Sequence, residues 1–321
     1  MRVAVGAITR RRPQMFEDLL RSFAAMRRPE GCEVVFLFAE NDDRLTAAPM
    51  VDAFRRAVPE EVRLALEPRR GIPMARNKVL DMALEAGADI LTFVDDDEVV
   101  AEDWLVAVVR AMEERGLDLG GGPVRLTETP EPMSGWNRAV FRHLTYRAKK
   151  RNATRAAGVA DGTDHEFNIY TNNWCLRLAA QRRLGVRFDE RLQFTGGSDT
   201  RFSLDMKAAG ARLGWMPDAW VAEPTPVKRL AFRYHYARAR DQATNAVMLS
   251  GRGPVHAVSL ATARFFEAAV ALPFLPFTGR RGVARAVFKV GMGVGHIRGS
   301  FGRRSQHYDP AAARFHVEAE S

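Results

Sequence analysis

Over its first 116 residues the chain alternates four times between a short apolar run and a longer segment whose apolar residues recur at helical spacing. The runs are residues 2–8, "CEVVFLFAE" at 32–40, "VRLALEP" at 62–68 and "ADILTFV" at 88–94. They are short and apolar enough to be buried strands. Between them, Phe16, Leu19, Leu20 and Phe23 mark a helix, and residues 49–57 a second, shorter one. A third begins near Pro73 and stops at Gly87, and residues 102–116 carry a fourth. This rhythm predicts the α/β class, a doubly wound sheet with right-handed crossovers. Ligands of such sheets collect outside the carboxyl ends of the strands. Three polar loops fall there: "TRRRP", "ENDDR" and "DDDE".

The third loop continues "FVDDDE", four acids in a row behind an apolar run at 93–98. Like charges at the end of a buried strand repel, so something positive must offset them. Asp97, Glu98 and Glu102 are candidate caps for the helix that follows, which accounts for one or two acids. A calcium loop needs spaced oxygens and a glycine turn, and the spacing is wrong. A Mg²⁺ or Mn²⁺ site, in which one or two carboxylates hold an ion that also takes substrate phosphate oxygens, accounts for the neighbouring arginine-rich loops as well. The offsetting cation is then expected to arrive with the substrate.

The cluster sits in a chain of 321 residues with formal net charge +9 and 46% apolar composition, enough for a sizeable core. A basic excess favours polyanionic partners. Cys32 and Cys175 lie far apart and outside any C-x-x-C pattern, which argues against a disulfide framework. "MRVAVGAITRRRP" reverses the order of a signal peptide, so a cytoplasmic location is expected. From Gly120 the rhythm changes: 136–170 reads as irregular and rich in Arg and Lys, the place for substrate-binding variation. Regular structure resumes over 168–178, 194–210 and 211–223.

The last part, 225–321, is basic and apolar by turns. "ATARFFEAAVALPFLPF" is interrupted by Arg264, Glu267, Pro273 and Pro276, and its uncharged run falls short of the ~20 residues a spanning helix needs. Beyond it Arg281, Arg285 and Lys289 recur four apart beside Val283, Val287, Val290 and Val294. Two readings stand level: a helix lying on an anionic bilayer surface, or a core helix pair with a solvated basic face. Arg229, Arg233 and Arg240 are spaced to share a helix face that suits a diphosphate or, more commonly, forms a solvated or membrane-facing stripe; His235 among them is expected to pack.

In order along residues 2–240, "VAVGAITRRRP", "VVFLFAEND", "GIPMARNKVL", "ADILTFVDDDEVVAEDWL", "TNNWCLR" and "FTGGSDTRFSLDMKAAG" resemble the family 2 glycosyltransferases of the GT-A fold, and among them the succinoglycan-type enzymes that extend lipid-linked sugar repeats. The resemblance implies a Rossmann-like mixed sheet with helices on both faces, over residues 1–224, with a C-terminal helical appendage at 225–321. Residues 1–118 would bind the nucleotide sugar and 119–224 the acceptor. It implies an inverting, metal-dependent transfer of a hexose from a nucleotide sugar, UDP-linked, to a saccharide or polyprenyl-diphosphate-linked acceptor in cell-surface polysaccharide synthesis. Asp95 and Asp97 match the D-x-D motif, Asp97 holding Mg²⁺ or Mn²⁺. Thr9, Glu40, Asn41, Arg76, Asn77, Asp95 and Asp96 form the expected nucleotide-binding set, with Glu40 standing where the family usually has Asp. Asp199 matches the catalytic base, although the Glu that precedes it in the family is Ser198 here. Ser198-Asp199 also suits a helix N-cap. Asn172, Asn173 and Trp174 fall on a strand near the acceptor, where a purely structural role is equally expected.

Two other functions compete. A nucleotidyltransferase shares the scaffold and the metal acids, but "GAITRRRP" is not a glycine-rich phosphate loop. A non-catalytic nucleic-acid-binding protein suits the basic balance, but acids at the strand ends repel a polyanion. No nucleic-acid partner is therefore expected.

Overall fold

The computed structural model describes residues 1–303 and Ser305; residues 304 and 306–321 of the expected C-terminal region lie outside the described residues. The chain forms two compact units, one of residues 1–125, 149–193 and 198–224, the other of 126–148, 194–197 and the residues from 225 onward.

The first unit is built on a seven-stranded sheet. Its strands are β1 (Arg2–Thr9), β2 (Glu33–Glu40), β3 (Glu61–Leu66), β4 (Ile90–Val94), β6 (Leu119–Gly121), β8 (Asn173–Arg177) and β9 (Leu213–Trp215), in the order β3-β2-β1-β4-β8-β6-β9. β1 pairs parallel with β2 and with β4, and β8 runs antiparallel to both β4 and β6. A smaller sheet has the order β5-β10-β7, from β5 (Val99–Val100), β7 (Val124–Glu128) and β10 (Val221–Thr225).

Both faces of the large sheet are covered, which explains why β1, β2 and β4 read as near-continuous apolar runs rather than alternating. Val3, Val5 and Ala7 of β1 join one core with Phe16 and Leu19 of α1 (Pro13–Ala25), Val51 and Phe54 of α2 (Ala48–Ala57) and Trp104 of α4 (Trp104–Glu114). Ala4 faces the other way, into a core with Val79 and Leu80 of α3 (Ile72–Glu85), Leu178 of α6 (Leu178–Leu184) and Phe202 and Met206 of α7 (Ser198–Ala208). Each large side chain so buried contributes ~1.5–3 kcal/mol. The expected mixed sheet with helices on both faces is what the chain forms.

The 136–170 region is irregular only in its last ten residues. Gly135–Ala160 is a helix of 26 residues, α5. Its Arg, Lys and Ala residues favour helix, but charge lies all around it, so no apolar stripe betrays the period.

The second unit contains α8 (Phe232–Ser250), α9 (Pro254–Ala271) and α10 (Leu275–Ser300), the last broken at Gly279. α9 and α10 fold back on one another, with Lys289 paired to Glu267 and Gly293 against Phe265. At Gly295 a Cβ would stand 2.1 Å from the Arg240 carbonyl oxygen, so only glycine lets α10 lie this close to α8. His235 packs as expected, buried against His143 and Phe288, with its Nε2 3.2 Å from the Ala284 carbonyl. By length and composition alone, an 18-residue window within Pro254–Ser300 is apolar enough to cross a membrane, while the uncharged run of the sequence stays short of a span.

Candidate active site

Strand order reverses at β1, between β2 on one side and β4 on the other, and such a switch point opens a crevice at the carboxyl ends. The register puts Thr9 opposite Glu40, and Asp95 follows the last residue of β4. Thr9, Glu40 and Asp95 of the sequence-predicted set are thereby brought to the carboxyl end of the sheet, while Arg76 and Asn77 come from α3.

Asp96 is buried and accepts hydrogen bonds from Thr9 Oγ1 (2.9 Å) and from Arg12 Nη1 (3.0 Å). The same Arg12 nitrogen lies 3.6 Å from Asp97. Arg76, itself buried, donates to Asp95 (3.3 Å) through one nitrogen and to Ser198 Oγ (3.2 Å) through the other. Two guanidinium groups of the protein thus already offset part of the acidic charge that the sequence left to an incoming cation. Glu98 is buried and accepts from the Asp95 backbone N–H (3.2 Å), which holds the turn. The cap explanation fails: β5 separates Asp97 and Glu98 from α4, and the N-cap position falls to Asp103 rather than Glu102, with no side-chain cap bond.

Repulsion nevertheless remains. Burial, and then the charges of Asp97, Asp96 and Asp199, push the Asp95 carboxyl up to about 6 despite the attraction of Arg76. Burial and Asp97 likewise raise Asp96 against the pull of Arg12. Burial, followed by Asp95, Glu223 and Asp97, raises Glu98 well above the usual range. Asp199 stands in the first turn of α7, where its Oδ1 accepts from the Thr200 N–H (2.7 Å).

Several expected contact residues turn their polar atoms to the protein itself. Asn41 donates to the Glu67 and Arg69 carbonyls (3.0 and 2.8 Å) and accepts from the Gly71 N–H (2.8 Å), tying the ends of β2 and β3 to the start of α3. Asn77 holds Phe188 through its N–H and carbonyl (3.0 Å each) and donates to Glu190 (3.2 Å). Glu40 accepts from the Ala47 N–H (2.9 Å) and from Thr46 Oγ1. These residues shape the loops that wall the crevice.

Of the residues expected near an acceptor, Asn173 accepts from Trp104 Nε1 (2.9 Å) and donates to the Pro123 and Ala219 carbonyls (3.1 and 2.7 Å), and Trp174 is fully buried among Phe93, Phe188 and Phe202. Those two side chains are buried in the packing; Asn172 is half-buried. Asn173→Ala leaves the buried Trp104 N–H and the Ala219 carbonyl unpaired, at ~1–3 kcal/mol for each, while the Pro123 carbonyl keeps the Val221 N–H. We expect a loss of about 3 kcal/mol or more in chemical denaturation, and a loss under about 0.5 kcal/mol would refute the clamp.

The residues that composition alone did not single out are Arg10, Arg11, Arg12, Asp42 and Arg70. Arg11 adopts φ 51°, a left-handed backbone that costs ~1–3 kcal/mol for such a residue. There its Nε reaches Asp42 at 2.5 Å, with Arg10 and Arg70 each at 4.0 Å. Burial alone would raise the Asp42 carboxyl, but the Arg11 hydrogen bond, the Asp43 N–H and the charges of Arg11 and Arg10 hold it below the ordinary range. Among the described residues Arg10 and Arg76 each keep a buried Nε without a hydrogen-bond partner, donors of the kind a phosphate oxygen accepts.

Among the described residues no three His, Cys, Asp or Glu side chains converge as a closed metal cage. A substrate-shared Mg²⁺ or Mn²⁺ does not need one, since one or two hard carboxylates suffice when phosphates complete the shell. Asp95 and Asp97 fit that requirement, and their residual repulsion favours a cation.

Comparison with known proteins agrees with this geometry. Residues 2–244 match the model of the family described as glycosyltransferase like family 2. The succinoglycan biosynthesis protein ExoM of Rhizobium meliloti (strain 1021) is 32% identical over 300 residues, 91% of this chain and 92% of that protein. In three dimensions the chain is similar to the mannosyltransferase PcManGT from Pyrobaculum calidifontis, solved with GDP-Man and Mn²⁺ (TM-score 0.51, 17% identity, 99% of this chain, 79% of that one). It is also similar to residues 1–349 of S. aureus TarS (TM-score 0.50, 15% identity, 93% and 91%). The fold is GT-A, and with the family match spanning the sheet and its acid-bearing edge, the chain belongs to the family 2 glycosyltransferases.

Proposed function

We propose that this glycosyltransferase is inverting and divalent-metal-dependent. It moves a hexose from a UDP-linked donor to a saccharide or polyprenyl-diphosphate-linked acceptor at the cytoplasmic face of the membrane, in exopolysaccharide synthesis. The observation that carries the reading is the line of groups from Arg12 and the acids at 95–97 through Arg76 to Ser198, which brings the base candidate Asp199 into the field of Asp95. ExoM, by its name a succinoglycan biosynthesis protein, supports the exopolysaccharide role, and the GDP-Man and Mn²⁺ of PcManGT support a metal-bound nucleotide sugar.

In this reading Asp199 takes the proton of the acceptor hydroxyl as its oxygen attacks the anomeric carbon. The bond from that carbon to the donor phosphate breaks on the opposite face, its electron pair leaving with the nucleoside diphosphate. Arg76 and Arg12 orient the acids and place positive charge beside the departing diphosphate. A bound Mg²⁺ or Mn²⁺, held by Asp97 and Asp95, would supply further charge stabilisation there. Thr9 positions Asp96 from the end of β1, and Asn41 and Asn77 set the walls of the nucleotide pocket.

A thermal-shift and hydrolysis screen of UDP-, GDP- and dTDP-sugars, with and without Mn²⁺, tests the reading. A Mn²⁺-dependent shift with UDP-sugars supports it; no shift with any nucleotide sugar sinks it. The position of Asp95 adds a pH dependence. Because its carboxyl titrates near 6, Mn²⁺-dependent donor affinity should fall as pH drops through 6, about tenfold per unit below it. Stability of the metal-free protein moves the other way. A carboxyl raised above its unfolded value contributes stability below the unfolded pKa that is lost as pH rises through the folded one. Asp95→Asn should therefore stabilise the metal-free protein at pH 8 relative to wild type and lose that advantage by pH 4. Equal differences at both pH values would contradict the assignment.

A further inference from the structure

The second unit contains a groove of about 430 Å³ between the start of α5 and the region around the break in α10, lined by Gly135, Arg138, Arg142, Thr278, Arg280 and Arg281. Among the described residues none of these four arginines makes an ion pair with a carboxylate, whereas most arginines of the first unit's site do. Two of them are oriented by aromatic faces instead: Arg280 lies 5.1 Å from the Trp136 ring and Arg281 4.9 Å from Tyr146. Arg280 also fits against Gly135 so closely that a Cβ there would meet its Nη1 at 1.8 Å. The groove opens at the N-terminal end of a 26-residue helix, whose dipole adds to the positive field. His143, buried nearby, is held down to about 3 by burial and then by His235, Arg147, Arg281 and Arg285.

Immediately before this groove in the chain, the turn from α9 into α10 leaves its largest apolar side chains bare. Leu272 and Phe274 are each 57% exposed and Phe277 87%, with Phe266 at 68% on the preceding helix. An apolar tip flanked by cations is the pattern of a segment seated in a bilayer interface. The two features are contiguous, since Thr278 of the groove follows Phe277.

We infer that this arginine groove binds the diphosphate headgroup of a membrane-borne polyprenyl carrier while the Leu272–Phe277 tip enters the lipid beside it. Four guanidinium groups suit a diphosphate, whose oxygens accept paired, charge-assisted hydrogen bonds. A nucleic-acid backbone is disfavoured because the bare phenylalanines border the groove rather than line it as a stacking platform. The inference rests on the proposed lipid-linked acceptor and gives it a place on the molecule.

The test is co-sedimentation of the full chain with phosphatidylcholine vesicles carrying either a long-chain polyprenyl diphosphate or phosphatidylglycerol at matched charge. Binding to the diphosphate vesicles should be tighter by about tenfold or more, the effect of one additional charge-assisted pairing. Arg142→Lys with Arg280→Lys keeps the charge and should remove that preference while preserving phosphatidylglycerol binding; Phe274→Ser with Phe277→Ser should weaken binding to both. Equal binding to the two vesicles, or a preference that survives the lysine variants, overturns the inference. So does inorganic pyrophosphate binding with no vesicle recruitment, which marks a site for a free phosphate compound, or random single-stranded RNA bound as tightly as the vesicles. The donor screen reads nucleotide-sugar binding without vesicles, so a positive screen beside a negative sedimentation result removes only the lipid site.

Discussion

Asp199→Asn is expected to lower turnover by roughly 10²- to 10⁴-fold, the usual contribution of a positioned base, while leaving Mn²⁺-dependent donor binding intact. The substitution is nearly isosteric. The Thr200 N–H that donates to Asp199 Oδ1 at 2.7 Å finds the same acceptor in an asparagine carbonyl, so the first turn of α7 keeps its geometry. What disappears is the capacity to take a proton and one negative charge in the field of Asp95. That charge helps to raise the Asp95 carboxyl, so its removal should also move the low-pH limit of donor binding downward. Single-turnover measurement of sugar transfer, with donor affinity followed separately by calorimetry across pH, resolves the two effects. Wild-type turnover in the asparagine variant would remove Asp199 from the reaction; a parallel loss of donor binding would make it a binding residue.

The parts of this molecule that were legible in its sequence are those where one residue type repeats for one reason. Strands β1, β2 and β4 are buried on both faces and the edge strand β3 partly so, and their apolar runs stand out against the helices between them. The acids at 95–98 were conspicuous because like charges accumulate only where something offsets them. The offset itself was not readable: Arg12 meets Asp96 across a sequence separation of 84 and Arg76 meets Asp95 across 19, and a run such as "TRRRP" does not say which arginine turns inward. The protein partners of the amides were unreadable for a related reason. Asn41, Asn77 and Asn173 have the chemistry to hold a ligand, but each is consumed by backbone groups that the fold would otherwise leave unpaired. α5 escaped notice because helix propensity without amphipathicity leaves no periodic trace.

Asp97→Ala should separate stability from binding by moving them in opposite directions. In the metal-free protein Asp97 is one of the charges that raise Asp95, Asp96 and Glu98. Its loss relieves that repulsion, and its Arg12 partner, 3.6 Å away, retains Asp96 at 3.0 Å. The metal-free variant should therefore melt no lower than wild type, and higher at pH 8 than at pH 5 relative to it, because the relieved repulsion exists only where the neighbouring acids are ionised. Donor binding should behave oppositely. Changes even to the groups that merely support metal ligands weaken binding by about 10–100-fold, so deleting one of two carboxylate ligands is expected to cost about 100-fold or more in Mn²⁺-dependent donor affinity, with metal-independent binding of the nucleoside unchanged. A merely structural Asp97 predicts the reverse pair of results, a lower melting temperature with donor affinity retained. Titrating Mn²⁺ into each protein at fixed UDP-sugar, alongside melting curves without metal at both pH values, distinguishes them. If Mn²⁺ continues to strengthen donor binding in the alanine variant to the wild-type extent, the ion is held elsewhere. Asp97 would then serve, like Glu98, to shape the turn after β4.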